Sequence, residues 1–333
     1  MELHTYRAHH WGCRVLLLAF ILIILNPSEA GAADQYTGGA PRIAEGGTWN
    51  RSLSYIVATP EEALAAYLDA VKQVPEEIII QVTSDRVSEC VNYLDAQSMQ
   101  SLSFTFGFSA SYNTKSILLR PEYTQAAKIT AHLQLNGYVA DQYIQELAAS
   151  ALRVYQHIIN PAYTPREQVQ AVHDYIITQT EYDNLSTDIV IGDVAGVLEQ
   201  GRANCSGYAN TFQLFMNLCG IESMVVGGIS TDQGITGNHA WNKVYLDDNW
   251  YNIDVTWDDP LLNGGTLSQP FLQYYLVDDD FLSRDHTWDH TGIPSTTIGS
   301  VSPHYSALAA EPETDSAEKI TPKLPKKGFP MIW

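Results

Sequence analysis

The stretch from Asn238 to Pro260, NHAWNKVYLDDNWYNIDVTWDDP, constrains the fold more than any other part of the chain. Two alternating runs flank Asp247-Asp248, a pair suited to a two-residue turn, so His239 to Leu246 and Trp250 to Trp257 are predicted as a tight antiparallel hairpin. Such a turn fixes the register, with Trp241 opposite Asp254 and His239 opposite Thr256. His239, Trp241, Asn252 and Asp254 then share one face, which carries the polar chemistry. Ala240, Val244, Leu246, Tyr251, Ile253, Val255 and Trp257 share the other, the core side. Asp254 lies diagonal to His239, but so does Asp258, and the register does not choose between the two acids.

A second stretch supplies what a histidine and an acid could act upon. GRANCSGYANTFQLFMNLCG, from Gly201 to Gly220, places Cys205 at the start of a predicted helix. A lone cysteine is most often an inert buried side chain. Here, however, free N–H groups and the helix dipole would favour thiolate, and Gly201 and Gly207 would leave room for a substrate. Tyr208, Phe212, Phe215, Leu218 and Cys219 fall at three- and four-residue steps and Gly220 suits the C′ position, so Cys219 is the structural cysteine. A Cys205 thiolate with His239 as base and a carboxylate behind the ring has the logic of a nucleophile triad.

The chain has 333 residues, 45% of them hydrophobic, enough for a sizeable core and two domains. Its one long apolar run, VLLLAFILIIL from Val15 to Leu25, is short for a membrane span and follows Arg7 and Arg14. With Ala30-Gly31-Ala32 behind it, the run reads as a secretory signal over residues 1–32, cleaved near Ala32/Ala33, or else as an uncleaved anchor. Cleavage would remove Glu2, Glu29, Arg7 and Arg14 and leave the net charge at −20, a surface that disfavours nucleic acid and anionic membranes. It would also remove Cys13 and leave Cys90, Cys205 and Cys219. Cys205 and Cys219 cannot pair on one helix, where fourteen residues separate them by about 21 Å. A bridge from Cys90 to Cys219 stays open. No CxxC spacing suggests structural zinc, no calcium-loop pattern is present, and no cofactor is expected.

Residues 33–52 read as a linker, and 53–136 as a small α/β domain with a helix opening at Thr59-Pro60, a strand at Ile78 to Val82, a helix at Asp85 to Leu94 and a strand at Ser116 to Leu119. His132 is isolated there and reads as an ordinary polar group. Helices follow at Asp141 to Ile159, Pro165 to Thr180 and Asp193 to Glu199, then a strand at Met224 to Ile229. Beyond Ser302 the tail is poor in apolar residues and predicted to be disordered.

The order GRANCSGYAN, then Gly220-Ile221 leading to Val225-Val226-Gly227, then HAWN at His239 and WYNIDVTW at Trp250, resembles the transglutaminase-like superfamily, in particular its secreted bacterial and kyphoscoliosis-peptidase-like branch. The resemblance covers roughly Tyr138 to Asp289. It implies an α+β fold with a papain-like core over 138–301, a cysteine-bearing helix packed on an antiparallel sheet. It also implies Cys205 as nucleophile, His239 as general base and acid, and Asp254 rather than Asp258 as the orienting carboxylate. Such enzymes act on amides through a thioester and release it to water, as peptidases or amidases, or to an amine. Hydrolysis of a protein or peptide substrate outside the cytoplasm is the expected activity; an idle binding or scaffold module of the cell envelope is the alternative. Animal transglutaminases place a Trp upstream of the cysteine to hold the oxyanion, and none lies between Asn50 and Ala240. Tyr182 is the candidate for that role.

Overall fold

A computed structural model of the protein describes residues 4–9, 51–183, 189–232, 234–259 and 272–296. The apolar run at 15–25, most of the linker and the tail lie outside the described residues. Among the described residues no helix is long and apolar enough to cross a membrane. The chain divides into two compact units, 1–145 and 146–333, each mixing helices with sheet.

The first unit is built on a five-stranded sheet in the order β1 (His4–His9), β4 (Thr105–Tyr112), β5 (Ser116–Tyr123), β3 (Glu77–Val82) and β2 (Ser52–Val57). Only β2 and β3 run parallel, joined by helix α1 (Pro60–Ala70). The Thr59 hydroxyl accepts from the Glu62 N–H at 3.2 Å, and the Glu62 carboxylate accepts from the Ala58 N–H at 2.6 Å, which closes the helix start. Ile78, Ile80, Ile117 and Leu119 bury one sheet face with Tyr67, Leu94 and Cys90 from α1 and α2 (Val87–Ala96). Two elements differ from the sequence expectation. Strand β4 was hidden because its register shifts between Thr105 and Gly107, which breaks the alternation that marks a strand. Strand β5 continues through Pro121, which pairs with Phe108 but lies past the last residue that β3 reaches, so its missing N–H costs no ladder bond. Helix α3 (Gln125–Gln134) follows, opened by the Thr124 hydroxyl on the Ala127 N–H.

Helix α4 (Gln142–Ile158) spans the division between the units. In the second unit α5 (Pro165–Gln179) starts with a full capping box, Thr164 and Glu167 each satisfying the other's backbone N–H. Helix α6 (Cys205–Cys219) lies against an antiparallel sheet ordered β10 (Asn249–Ile253), β9 (Ile235–Leu246), β8 (Ser223–Asp232) and β11 (His286–Thr287). Tyr208, Phe212 and Phe215 from the helix meet Val244, Leu246, Tyr251, Ile253 and Val255 from the hairpin in one core. The short segments β6 (Glu181–Tyr182) and β7 (Arg202–Ala203) pair in parallel just ahead of α6.

The hairpin has the expected turn. Asp247 and Asp248 both take positive φ, 50° and 61°, and Asn249 pairs with Leu246. Three expectations are corrected. The second strand ends at Ile253, and residues after Asp254 turn away, so Thr256 does not sit opposite His239. The face assigned to polar chemistry is not all polar: Trp241 is buried in a second small core with Val226, Tyr274, Val277 and Leu282, with Trp257 and Trp288 packed against it. Trp257 therefore belongs to this side and not to the main core. Lys243, on the same face, is fully buried and donates to Asp279 at 2.7 Å and to the Pro294 carbonyl at 2.6 Å. Asn252 also donates to Asp279. This polar anchor clamps residues 272–296 over the sheet, and α7 (Asp279–Leu282) supplies it. Finally, the helix expected over 193–199 forms over 194–200, but Gly196–Gln200 is a π-helical turn, ended by Gly201 at φ 60°.

Candidate active site

Cys205 is held by what precedes it. Asn204 caps α6, its side-chain oxygen accepting from the Ser206 and Gly207 N–H groups at 3.0 and 3.2 Å. Its own N–H donates to the Ile191 carbonyl at 3.0 Å. That carbonyl explains Gly207: a Cβ there would lie 2.4 Å from it. Gly207 thus lets the 189–192 turn lie on the helix, and the expectation that it clears space for a substrate is corrected. With two first-turn donors taken by Asn204, the Cys205 N–H has no hydrogen-bond partner among the described residues.

His239 sits in β9 opposite Gly228 of β8. A Cβ on Gly228 would meet the Thr287 carbonyl at 2.3 Å and the Trp241 ring at 2.7 Å, so only glycine lets β11 and the indole close around the histidine. Asp254 follows β10 directly, its N–H bonded to the Tyr274 carbonyl at 3.1 Å. His239 Nε2 donates to Asp254 Oδ2 at 2.6 Å, and the Cys205 thiol acts on the same imidazole and favours its charged form. The three side chains that the sequence pointed to are therefore brought together, and all three are buried.

Their electrostatics are mutual. Burial works against the charged ring of His239, but the Asp254 charge and hydrogen bond, with the Cys205 thiol on the other side, push its pKa up to about 10. Burial works against the Asp254 carboxylate too, and the charge of His239 with hydrogen bonds from His239 and His286 holds it well below the usual range. Its Oδ1 accepts from the Thr256 and Trp257 N–H groups at 3.0 and 3.1 Å. The carboxylate is thus fixed on both oxygens.

Asp258 is engaged elsewhere. Its Oδ2 accepts from His173 Nε2 at 3.1 Å and its Oδ1 from the Tyr274 N–H at 2.7 Å. His173, on α5, also bonds Asp174 through Nδ1 at 3.0 Å. Burial opposes the His173 charge, yet its hydrogen bonds to Asp174 and Asp258 and the Asp258 charge raise its pKa to about 9. Asp258 shifts the other way from a simple ion-pair partner, since burial outweighs His173 and pushes it up to about 6. The His173 direction governs the pair, because two carboxylates act on one ring.

Tyr182 ends the short β6–β7 pairing ahead of Cys205, with its ring 6.2 Å from that of Tyr208. Burial, then the negative charges of Cys205 and Asp254, raise its hydroxyl well above the usual range, so it stays a neutral donor near the thiol. Cys219 packs on the main core, where burial pushes its thiol up to about 11. Cys90, Cys205 and Cys219 are all free, so the bridge left open between Cys90 and Cys219 is not made.

His286 was not singled out by the sequence. Its Nε2 lies 3.1 Å from Asp254 Oδ2 and its Nδ1 2.6 Å from Asp285 Oδ1. The run Asp285 to His290, DHTWDH, hinted at chemistry, but nothing local assigns such a histidine to an aspartate 32 residues earlier. Donor atoms of His239, Asp254 and His286 lie within 4.8 Å of one another, a grouping able to hold a metal. Hydrogen bonds between those atoms already account for the cluster.

Residues 153–255 match the family model described as the Transglutaminase-like superfamily. Kyphoscoliosis peptidase of Homo sapiens is 31% identical over 147 residues, 40% of this chain and 22% of its own length. Its Mus musculus counterpart is 29% identical over 179 residues, 50% of this chain and 25% of its own. The aligned stretch therefore spans no more than a quarter of either relative. A crystal structure described as that of a TGase aligns at 18% identity over 64% of this chain and 61% of its own, with a TM-score of 0.32.

Proposed function

We propose, because this chain carries a domain of the transglutaminase-like superfamily, that Cys205, His239 and Asp254 form a working catalytic triad that cleaves peptide or amide bonds through a thioester. The observation that supports this reading is that the imidazole held by the Asp254 carboxylate at 2.6 Å is also acted on by the thiol of Cys205, the first residue of α6. With Nε2 committed to Asp254, Nδ1 is the nitrogen that exchanges a proton with sulfur. His239, favoured in its charged form by Asp254, can take the thiol proton on Nδ1 and keep it for the leaving group.

Sulfur attacks the amide carbon and the carbonyl electrons move to oxygen. The free Cys205 N–H is one donor to that oxyanion, and Tyr182 is the proposed second. Collapse breaks the C–N bond, and His239 passes its proton to the leaving amine. The acyl group is now a thioester on Cys205. His239, neutral again, takes a proton from water as it attacks, and thiolate leaves with the carboxylic acid product. The name peptidase carried by the relatives supports water over an amine as acceptor. The apolar run and the small-residue site behind it support export and an extracellular or envelope peptide substrate. Removal of residues 1–32 would take β1 away and leave β4 at the sheet edge.

The test is chemical. Iodoacetamide should alkylate Cys205 rapidly at neutral pH, much faster than Cys219 in the same sample, and His239→Ala should abolish the difference. Incubation with envelope peptides, with and without a labelled amine, should give cleavage products and little amine transfer. A Cys205 that reacts only near pH 9 would identify the domain as an idle binding module.

A further inference from the structure

Asp254 Oδ2 is shared. It accepts from His239 Nε2 at 2.6 Å and from His286 Nε2 at 3.1 Å, and both rings are buried. Behind His286 the chain continues: its Nδ1 bonds Asp285 Oδ1 at 2.6 Å, and the Tyr274 hydroxyl donates to Asp285 Oδ2 at 2.7 Å. Both ring nitrogens of His286 thus face carboxylate oxygens. The rest of the surroundings are aromatic. The rings of Trp257, Trp241 and Tyr274 lie 4.5, 5.1 and 5.8 Å from that of His286, and His239 lies 5.3 Å away. Asp254 and Asp285 are thus the carboxylates against it, and the Tyr274 side chain joins α7's neighbourhood to the triad.

This arrangement has a geometric consequence. With His239 as its single imidazole, Asp254 Oδ2 would have one partner, against two N–H groups on Oδ1. His286 gives Oδ2 its second partner, at 3.1 Å. We propose that His286 is a positioning residue of the triad: braced by Asp285, it holds Asp254 Oδ2 where it orients His239 toward Cys205. The proposal rests on Cys205 being the nucleophile, as argued above. It assigns to β11 and the 272–296 segment a part in the chemistry, although they lie outside the stretch matched by the family model.

Alkylation of Cys205 followed by peptide mass spectrometry tests this without a substrate, with Cys90 and Cys219 as internal references. Across pH 5 to 9, His286→Leu should lower the Cys205 rate by about tenfold to a hundredfold, the usual effect of losing an outer partner of a functional group. His286→Gln, which keeps one donor toward Asp254, should restore part of the loss. In turnover the Leu variant should lose kcat with KM unchanged. If His286→Leu does not keep a native near-UV spectrum, Asp285→Asn and Tyr274→Phe loosen the brace with the ring in place and should lower the rate in that order. A wild-type rate profile in folded His286→Leu, or in both brace variants, overturns the proposal. A wild-type Cys205 no faster than Cys219 overturns the nucleophile reading itself, and this inference with it.

Discussion

His239 and His173 are both buried, both hydrogen-bond an aspartate with no exposure, and their aspartates stand four positions apart in the chain. Both rings are pushed toward the charged form by the carboxylates beside them. They differ at the other ring nitrogen. His173 spends its second nitrogen on Asp174, so both nitrogens face carboxylates and neither faces a nucleophile. His239 keeps its second nitrogen for a thiol at the first residue of a helix. The His–Asp pair is therefore not in itself a sign of catalysis. What distinguishes the two is whether the pair leads to a nucleophile or closes on itself, as His173 does in tying α5 to the turn after β10.

Cys205→Ala breaks the comparison most severely, removing what makes one pair different. It should abolish turnover while leaving the thermal midpoint nearly unchanged, because the thiol adds little volume to the core; a peptide-cleavage assay beside a melting curve checks both. Next comes Asp254→Asn, which keeps the shape but destroys the hold on the imidazole, and should lower kcat by about 10³ to 10⁴-fold as in other triads. The matching change at the other pair, Asp258→Asn, should leave kcat nearly intact and cost about 3 kcal/mol of stability, since it strands a buried histidine without its partner. Urea melts and kinetics on the two variants sort them. Equal losses of activity would mean that the two pairs are not functionally distinct.

The contrast was only half visible in the sequence. The Asp247-Asp248 turn dictates register, so the pairing of β9 with β10 followed from local chemistry alone. The choice between Asp254 and Asp258 did not follow. After Ile253 the chain leaves the strand, and the Asp254 carboxylate itself helps to fold the turn through the Thr256 and Trp257 N–H groups. Alternation cannot foresee an acid that shapes its own backbone. The partners His173 and His286 reach Asp258 and Asp254 from α5 and β11, across 85 and 32 residues, and no local pattern records such meetings. Gly207 was misread because a glycine's signal is the same for a substrate as for a carbonyl packed at close range. Lys243 is enclosed by Asp279 and Pro294, 36 and 51 residues further on, and no local pattern records that meeting either.

The change of stability with pH sharpens the comparison further, because both histidines contribute to it. A ring whose pKa is raised in the folded state above the ordinary value near 6.5 binds its proton more tightly when folded. Its contribution to stability is then complete below pH 6.5 and is lost as pH rises through the folded value, about 9 for His173 and about 10 for His239. Asp254, held low, contributes in the opposite sense, and its share is lost only as pH falls through the acid range. Urea midpoints should therefore decline from pH 6.5 toward 9, with a slope of about 1.4 kcal/mol per pH unit for each histidine that releases its proton on unfolding. In His173→Leu one of the two contributions is gone, so the protein should start less stable and lose stability less steeply over that range. A slope unchanged by His173→Leu would show that the closed pair is not charged in the folded protein, and that its difference from His239 begins at the ring proton and not at the neighbouring thiol.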